Sequence, residues 1–328
     1  MNVPGELYDK LQSGDRVALA RSITLIESRR PEDSLVKREL IELCGTRKSS
    51  SIRIGISGLP GAGKSTFIER LGLYLVGEGH RVAVLAVDPS SGRTGGSILG
   101  DKTRMELLST KENAYIRPSP SSGILGGVAE MTREAIIVCE AAGYDVVLVE
   151  TVGVGQAEFG VHGMTDFFLL LAISGAGDVL QGIKCGIMEM TDAVIVNKAD
   201  GDRIEAARST ASDIKTALRL SAGGPESYEI PVLTISSLSE EGFEDVWKMI
   251  QEQVEHTRST GSFDVRRSDQ MISWFEDAVQ YFLRTRLEND MKLSELRKRL
   301  IEEIEQGTLH PVAGASSYVD AIGSENPD

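Results

Sequence analysis

The stretch from residue 54 to residue 66, IGISGLPGAGKST, places a glycine-rich turn between two regular elements. The β-branched apolar run before it predicts a buried strand, and the apolar residues spaced as in a helix after it predict a helix. Gly58, Gly63, Lys64 and Ser65 fit the pattern G-x-x-x-x-G-K-[ST] in its strand, loop and helix context. The sequence therefore predicts a phosphate-binding loop (P-loop) and a nucleoside triphosphate as its ligand.

The chemistry of phosphate binding explains the residue types of the P-loop. Gly58, Gly61 and Gly63 allow tight turns that point backbone N–H groups inward, and the helix N-terminus adds a partial positive charge. Lys64 is expected to reach the β- and γ-phosphates, and the Ser65 hydroxyl is expected to ligate Mg²⁺. The predicted phosphate-binding residues are Gly58, Leu59, Pro60, Gly61, Ala62, Gly63, Lys64, Ser65 and Thr66.

Short apolar runs alternate with helical patterns from residue 51 onward. This alternation, with strands that are apolar along their length, predicts an α/β fold with a mainly parallel sheet covered by helices on both faces. Ligands of such sheets bind at the carboxyl ends of the strands. The predicted strands are Ile52–Ser57, Arg81–Val87, Ala114–Arg117, Asp145–Glu150, Asp166–Ile173, Ala193–Asn197 and Pro231–Ile235.

A long loop rich in glycine and proline follows the second predicted strand and carries Asp88 and Asp101. Loops of this length in compact domains are usually functional. Carboxylates beside a phosphate site suit Mg²⁺ coordination that is made with a triphosphate and lost with a diphosphate, which is the behaviour of a switch. Either aspartate alone could instead be a turn or N-cap residue.

The strand that ends at Glu150 runs into the sequence ETVGVGQ. An acidic residue in this position of a P-loop protein holds the metal, directly or through water, and Glu150 is expected to do so. Gln156 can orient the attacking water, as glutamines do in some GTPases, or simply lie on the surface. The lone His162 nearby is interpreted as structural or solvent-facing.

The strand DAVIVNKAD predicts the identity of the base. Asp200 can accept two hydrogen bonds from guanine N1–H and N2–H₂, which adenine cannot supply in that arrangement. The Asn197 amide is expected to address the other edge of the base, and the Lys198 stem is expected to lie over its face. After the last strand, backbone N–H groups of the segment TISSL are expected to reach guanine O6, from Ser236, Ser237 and Leu238.

Helical segments flank the predicted nucleotide domain, and the predicted organisation is a helical extension over 1–50, a GTPase domain over 51–260 and a helical extension over 261–328. The first extension is expected to pack on the domain, and whether it also meets a partner is left open. In the second, Trp274, Phe275 and Phe282 belong to an apolar stripe that favours dimerisation over packing on its own domain. The small, polar tail from His310 onward is expected to be partly disordered.

The net charge and the cysteine content limit the classes of partner and the cellular compartment that the sequence favours. A formal net charge of −14 disfavours binding to nucleic acid or to anionic membranes. The N-terminus lacks the order of a signal peptide, and the longest apolar stretch, Phe167–Ile173, is too short to span a bilayer. Cys44, Cys139 and Cys185 are odd in number and far apart, which favours a reducing cytoplasm, and Cys139 is expected in the core.

The combination of GLPGAGKST, VLAVDPSSGRTGGSILGDKTRM, IRPSPSSGILGGVA, LVETVGVGQ, GAGDVLQGIK and NKAD resembles the MeaB/MMAA-type family of P-loop GTPases. These are the G-protein chaperones of methylmalonyl-CoA mutase, with a SIMIBI-like fold, and members were also labelled arginine/ornithine transport kinases or ATPases. The resemblance extends over about residues 5–315, and its most specific part is the loop that follows the second strand.

The resemblance implies a homodimeric GTPase that loads adenosylcobalamin into the mutase, protects it and helps to expel damaged cofactor. The resemblance implies that adenosylcobalamin is a cofactor of the partner mutase and reaches this protein only through that partner. The implied Mg²⁺ ligands are Ser65, Asp88, Asp101 and Glu150. The implied switches are Asp88–Met105, Glu150–Gln156 and Ser174–Gly186, the last sensing the partner through Lys184, a residue that without the resemblance reads as a surface lysine.

Two other classes are weighed against this interpretation. A transport-associated kinase or ATPase would prefer ATP, and Asp200 argues against it because adenine cannot satisfy that carboxylate. A nickel or zinc insertion GTPase would need a histidine-rich tract or clustered cysteines, which four scattered histidines and three isolated cysteines do not provide. The expected reaction is in-line attack of water on the γ-phosphate, slow without a partner because no arginine finger is identifiable.

Overall fold

The computed structural model describes residues 3–28, 30–46, 49–87, 105–119, 125–151, 157–173, 185–221 and 229–324. Four residues predicted to act at the site lie outside this part of the chain, namely Asp88, Asp101, Gln156 and Lys184. The chain divides into two compact units, Met1–Gln270 and Met271–Asp328.

In the part of the chain that the structure describes, a parallel sheet of seven strands forms the centre of the first unit. The strands are β1 (Ile52–Gly58), β2 (Val82–Val87), β3 (Ala114–Ser119), β4 (Val146–Thr151), β5 (Phe167–Ile173), β6 (Ala193–Asn197) and β7 (Val232–Thr234). Their order across the sheet is β3-β2-β4-β1-β5-β6-β7. All seven predicted strands are confirmed, with ends that differ by no more than two residues.

Helices connect the strands and cover the sheet. Those of the first unit are α1 (Val3–Gln12), α2 (Arg16–Ile26), α3 (Ser34–Gly45), α4 (Lys64–Gly77), α5 (Glu106–Ser109), α6 (Leu125–Ala141), α7 (Ala157–His162), α8 (Cys185–Glu189), α9 (Ile204–Ser221) and α10 (Phe243–Thr260). A long helix, α11 (Ser262–Asn289), crosses the boundary between the units, and α12 (Met291–Glu305) and α13 (Pro311–Ser324) follow it. Short 3₁₀ helices span Pro31–Asp33 and Gly201–Arg203.

The strands are apolar throughout because both faces of the sheet are buried. On one face, Phe67 of α4 and Ile250 of α10 pack in the same core as Ile54 of β1. On the other face, Ile23 of α2 and Cys139 of α6 belong to a second core, which also includes residues of α1, α3 and α9. The N-terminal helices therefore pack on the sheet domain, as the spacing of their apolar residues predicts, and Cys139 is a core residue.

The first turns of α11 form ion pairs with the amino ends of the central strands. Arg267 binds both carboxylate oxygens of Asp166, just before β5, at 2.7 Å each. It also donates to the carbonyl of Ser51, just before β1, at 2.9 Å. Arg266 pairs with Asp192, just before β6, at 3.2 Å. These ion pairs fix the start of α11 at the edge of the sheet opposite the carboxyl ends.

The second unit is helical, and its last helix corrects one prediction. Residues from His310 onward were expected to be partly disordered, but Pro311–Ser324 forms α13. Proline suits the first helical position, and the His310 ring accepts a hydrogen bond from the Val312 N–H at 3.3 Å, which caps the helix. A Cβ on Gly314 would lie 3.2 Å from Ile304, so α13 packs closely on α12.

Among the described residues no helix combines the length and the apolarity needed to cross a membrane.

Candidate functional site

The P-loop connects the carboxyl end of β1 to the start of α4. Two of its glycines are required because atoms of β5 and β6 approach them closely. Gly58 has φ +154°, and a Cβ there would lie 2.4 Å from the carbonyl oxygen of Leu171 in β5. Gly63 has φ +84°, and a Cβ there would lie 2.8 Å from the Asn197 amide nitrogen. The pattern of glycines therefore reflects the packing of β5 and β6 against the loop as well as its backbone conformation.

Lys64 folds back over the loop that precedes it. Its Nζ donates to the carbonyl oxygen of Gly58 at 2.8 Å. Burial lowers the pKa of Lys64 below its usual value. The nearby carboxylates of Glu150 and Glu158 act in the opposite direction and offset part of this effect. Glu158 is fully buried in the first turn of α7 and has no motif that would have identified it in the sequence. Lys64 is thus a half-buried cation that can exchange a carbonyl oxygen for phosphate oxygens.

Two of the four predicted Mg²⁺ ligands come together in the structure. The Ser65 hydroxyl, at the start of α4, donates to Glu150 Oε1, near the end of β4, at 3.1 Å. Strand pairing accounts for this contact, because Ile56 of β1 lies opposite Glu150 in the parallel register. A hydroxyl and a carboxylate oxygen are ligand types that suit Mg²⁺, so this pair fits the ion. In the described residues as a whole, this site included, no group of three or more histidine, cysteine, aspartate or glutamate side chains could hold a metal.

Asn197, at the end of β6, joins three segments of the site. Its amide nitrogen donates to the carbonyl of Ala62 in the P-loop at 2.9 Å. Its Oδ1 accepts from the Ser237 hydroxyl at 2.9 Å and from the Ser237 N–H at 3.2 Å. The residue is only 1% exposed. The structure therefore gives Asn197 a supporting role that the sequence did not indicate, and one hydrogen of its amide stays outside these bonds.

Asp200 is held by one residue on each carboxylate oxygen. Oδ2 accepts from the Ser236 hydroxyl at 2.9 Å, and Oδ1 accepts from Arg203 at 2.5 Å. The hydrogen bond from Ser236 and then that from Arg203 lower the pKa of Asp200. The carboxylate is therefore ionised at neutral pH and acts only as an acceptor, as recognition of guanine requires. Lys198, two residues earlier, has φ +64°, a left-handed conformation that is uncommon outside glycine.

The N–H groups of Ser236 and Ser237, which follow β7 and are predicted to reach guanine O6, make hydrogen bonds within the protein. The N–H of Ser236 donates to the carbonyl of Glu241 at 3.4 Å, and the N–H of Ser237 donates to Asn197. Both donors face acceptors within the protein, and their approach to guanine O6 stays a prediction. Leu238 is 74% exposed, and its approach to the base stays a prediction.

His162 lies in α7 and takes no part in the site. Its ring packs edge-on against Phe168, with the ring centroids 5.9 Å apart. Burial, with a smaller contribution from Arg266, lowers its pKa from 6.5 to about 4. The ring is therefore neutral in the folded protein at physiological pH, in agreement with its interpretation as a structural residue.

Comparisons with known proteins agree with this geometry. A family model described as methylmalonyl Co-A mutase-associated GTPase MeaB matches residues 19–292. A putative GTPase of Caulobacter vibrioides is 49% identical over 96% of this chain and 95% of its own. The mitochondrial methylmalonic aciduria type A homolog of Mus musculus is 43% identical over 98% of this chain and 80% of its own.

A solved structure extends the agreement to the fold. The crystal structure of an LAO/AO transport system kinase is 33% identical, covers 98% of this chain and 97% of its own, and superposes with a TM-score of 0.75. A P-loop on a parallel sheet, joined by Asn197 to the segment after β7, is the architecture expected of a P-loop GTPase. The chain belongs to the MeaB family of P-loop GTPases and is a GTP hydrolase.

Proposed function

We propose that this GTPase is a chaperone of an adenosylcobalamin-dependent methylmalonyl-CoA mutase, and that it gates loading, protection and reactivation of the mutase cofactor. The observation that carries the proposal is the match of residues 19–292 to a family described as mutase-associated. The name of the mouse relative, with which this chain shares 43% identity, supports the same link to methylmalonate metabolism. The adenosylcobalamin belongs to the partner mutase and is not assigned to residues of this chain.

The residues of the P-loop suit hydrolysis by in-line attack of water on the γ-phosphate of GTP. Lys64 exchanges the Gly58 carbonyl for β- and γ-phosphate oxygens and stabilises the charge that develops there. Ser65 and Glu150 would hold Mg²⁺, which when bound neutralises charge on the phosphates, and Asp88 and Asp101 are proposed as further ligands. Without an identified arginine finger, turnover of the isolated protein is expected to be slow.

Base recognition is proposed to depend on Asp200. Its ionised carboxylate accepts hydrogen bonds from guanine N1–H and N2–H₂, and adenine offers no such pair of donors. We expect the Lys198 stem to cover one face of the base and the remaining Asn197 amide hydrogen to approach its other edge. This assignment favours GTP over ATP and so argues against an ATP-dependent kinase, the activity in the name of the similar crystal structure.

The decisive experiment combines the purified protein with an adenosylcobalamin-dependent methylmalonyl-CoA mutase. Complex formation is measured by size-exclusion chromatography with GDP, with GTP and with a non-hydrolysable GTP analogue, and hydrolysis is measured with and without the mutase. We expect complex formation to depend on the nucleotide and the mutase to accelerate hydrolysis. Indifference of the protein to the mutase in every nucleotide state would contradict the chaperone role and leave the GTPase assignment intact.

The third switch can be tested in the same assay. We propose that Lys184 senses the mutase, and that Gln156 orients the attacking water. Lys184→Ala is then expected to keep the slow hydrolysis of the isolated protein and to lose its acceleration by the mutase. Gln156→Ala is expected to slow both rates. Equal losses in both assays for Lys184→Ala would contradict its role as a sensor.

We also propose that the protein is a homodimer that pairs through the helical extension over 261–328. Large apolar side chains of α11 are solvent-exposed, among them Ile272, Phe275, Phe282 and Leu283. Exposed apolar patches of this kind mark interfaces, and symmetric pairing is the commonest assembly. Light scattering should give a dimer for the wild type and a monomer for Phe275→Glu with Phe282→Glu. Leu220→Glu, at an even more exposed site on α9, is the control.

A reducing cytoplasm is the proposed location. Cys44 and Cys139 are buried and unpaired with each other, as is usual where thiols stay reduced. The mouse relative is described as mitochondrial.

A further inference from the structure

The carboxylate proposed to recognise guanine is engaged by a cation of its own chain. Arg203 lies three residues after Asp200, in the short 3₁₀ helix, and its Nη2 is 2.5 Å from Asp200 Oδ1. Guanine recognition needs both carboxylate oxygens, because N1–H and N2–H₂ present two donors side by side. Arg203 and guanine therefore address the same oxygen.

The two residues that hold Asp200 differ in burial and in freedom to move. Ser236 is buried, and its hydroxyl accepts from the Ser239 N–H at 3.1 Å while donating to Asp200 Oδ2. Its single proton is thereby committed, so Ser236 is a fixed support that orients the carboxylate. The Arg203 side chain is 52% exposed, against 17% for Asp200, so Arg203 covers the solvent side of the carboxylate.

We propose that Arg203 competes with guanine for Asp200 and lowers the affinity of the protein for guanine nucleotides. The inference rests on the proposed recognition of guanine by Asp200. Separating a half-exposed arginine from a carboxylate costs little free energy, since ion pairs of this kind are weak in water. Guanine can thus displace Arg203, and Arg203 can reoccupy Oδ1 as the base departs. Such a competitor favours nucleotide exchange without an exchange factor.

The size of the effect follows from the strength of an exposed ion pair. In molecules where Arg203 occupies Asp200, the carboxylate cannot bind guanine, so the fraction of competent molecules falls. For an exposed ion pair this raises the apparent Kd by about two- to fivefold. Arg203→Gln should therefore bind GDP about two- to fivefold more tightly than the wild type, with slower dissociation. Arg208→Gln is the matched control, because Arg208 makes an exposed (i,i+3) pair with Glu205 at 2.9 Å in α9. It should leave the Kd unchanged.

The experiment measures GDP and ADP binding to the full chain by fluorescence competition with a labelled guanine nucleotide. The gain from Arg203→Gln should be confined to GDP, because adenine lacks the donors that Asp200 accepts. The ratio of the wild-type Kd to the variant Kd for GDP should also fall toward one as salt rises from about 50 mM to about 1 M, since screening already weakens the ion pair in the wild type. Unchanged or weaker GDP binding by Arg203→Gln would overturn the competition.

A failure of the underlying assignment has a different signature. If the wild type binds ADP as tightly as GDP, or if Asp200→Asn does not weaken GDP binding, recognition of guanine by Asp200 is wrong. If the wild type prefers GDP and Asp200→Asn loses that preference while Arg203→Gln gains nothing, only the competition is wrong.

Discussion

Gly63 and Asn197 are in direct contact across the nucleotide site, so that a Cβ on Gly63 would lie 2.8 Å from the Asn197 amide nitrogen. The contact brings the start of α4 against the end of β6, which are separated by most of the GTPase domain in sequence. Asn197 thus requires a glycine at position 63, immediately before Lys64 of the P-loop. The P-loop and the end of β6 are therefore packed together.

This contact predicts that two glycines of the same loop differ in their tolerance of alanine. Gly61 and Gly63 have nearly the same φ, +81° and +84°, but among the described residues no heavy atom lies within 4 Å of a Cβ on Gly61. Gly61→Ala should cost only the left-handed conformation, roughly 1–2 kcal/mol. Gly63→Ala must also displace Asn197 and should weaken GTP binding at least about tenfold more than Gly61→Ala. Calorimetric titration with GTP checks this, and equal losses would contradict it.

Asn197→Ala should destabilise the protein as well as weaken binding. It removes a buried side chain that bonds to Ala62 and twice to Ser237, and it leaves those groups without their partner. We expect a loss of about 2–4 kcal/mol in the free energy of unfolding, measured in urea. Asn113→Ala, at an exposed turn, is the control and should change it by less than about 0.5 kcal/mol. A loss of binding with unchanged stability would assign Asn197 to the base alone.

The contact between Ser65 and Glu150 predicts how Mg²⁺ affects nucleotide binding. For the wild type, GDP with Mg²⁺ should raise the melting temperature more than GDP with EDTA, because Ser65 and Glu150 would hold the ion beside the phosphates. Ser65→Ala and Glu150→Gln should remove most of that difference and keep much of the effect of GDP with EDTA. A difference that persists in both variants would exclude the pair as ligands.

The Arg267–Asp166 ion pair should be worth far more than an exposed pair of the same helix. The Asp166 side chain is 1% exposed, so Arg267→Met leaves a buried carboxylate without its cation. This should cost about 3–5 kcal/mol in the free energy of unfolding. Arg284→Met breaks the exposed Arg284–Glu288 pair of α11 and should cost less than about 1 kcal/mol. Similar values for the two variants in chemical denaturation would be inconsistent with this interpretation.

His162 should make the protein less stable in acid. Its pKa is about 4 in the folded protein and 6.5 when exposed, so between these values the unfolded chain binds more protons. Its contribution is complete above pH 6.5 and is lost as the pH falls toward 4. His162→Phe, which keeps a planar ring and cannot titrate, should flatten the dependence of unfolding free energy on pH in this range. Parallel curves for wild type and variant would show that His162 does not titrate on unfolding.

The strands and the P-loop could be predicted from the sequence because their signals are local. A strand buried on both faces is apolar at every position, and a phosphate-binding turn needs glycines at fixed intervals. The contact between Asn197 and Ala62 joins residues 135 apart, and that between Arg267 and Asp166 joins residues 101 apart. No local pattern encodes such contacts, since each depends on how the chain folds back.

Two local features were also missed, for different reasons. The tail from His310 has small and polar residues that give a weak helical signal on their own, and packing of Gly314 against Ile304 and Leu309 supports the helix. Arg203 lies only three residues from Asp200, but an exposed arginine near a carboxylate is too common in sequences to indicate competition at a site.

Strand β1 is attached to other elements at both of its ends. Its carboxyl end leads into the P-loop, and the Ser51 carbonyl before its amino end accepts a hydrogen bond from Arg267 at 2.9 Å. With seven residues, the strand is about 23 Å long. The sheet is packed between two cores, and β1 alone separates the P-loop from the contact of Arg267 in the first turns of α11. The start of α11 and the P-loop are thus attached to opposite ends of one buried strand.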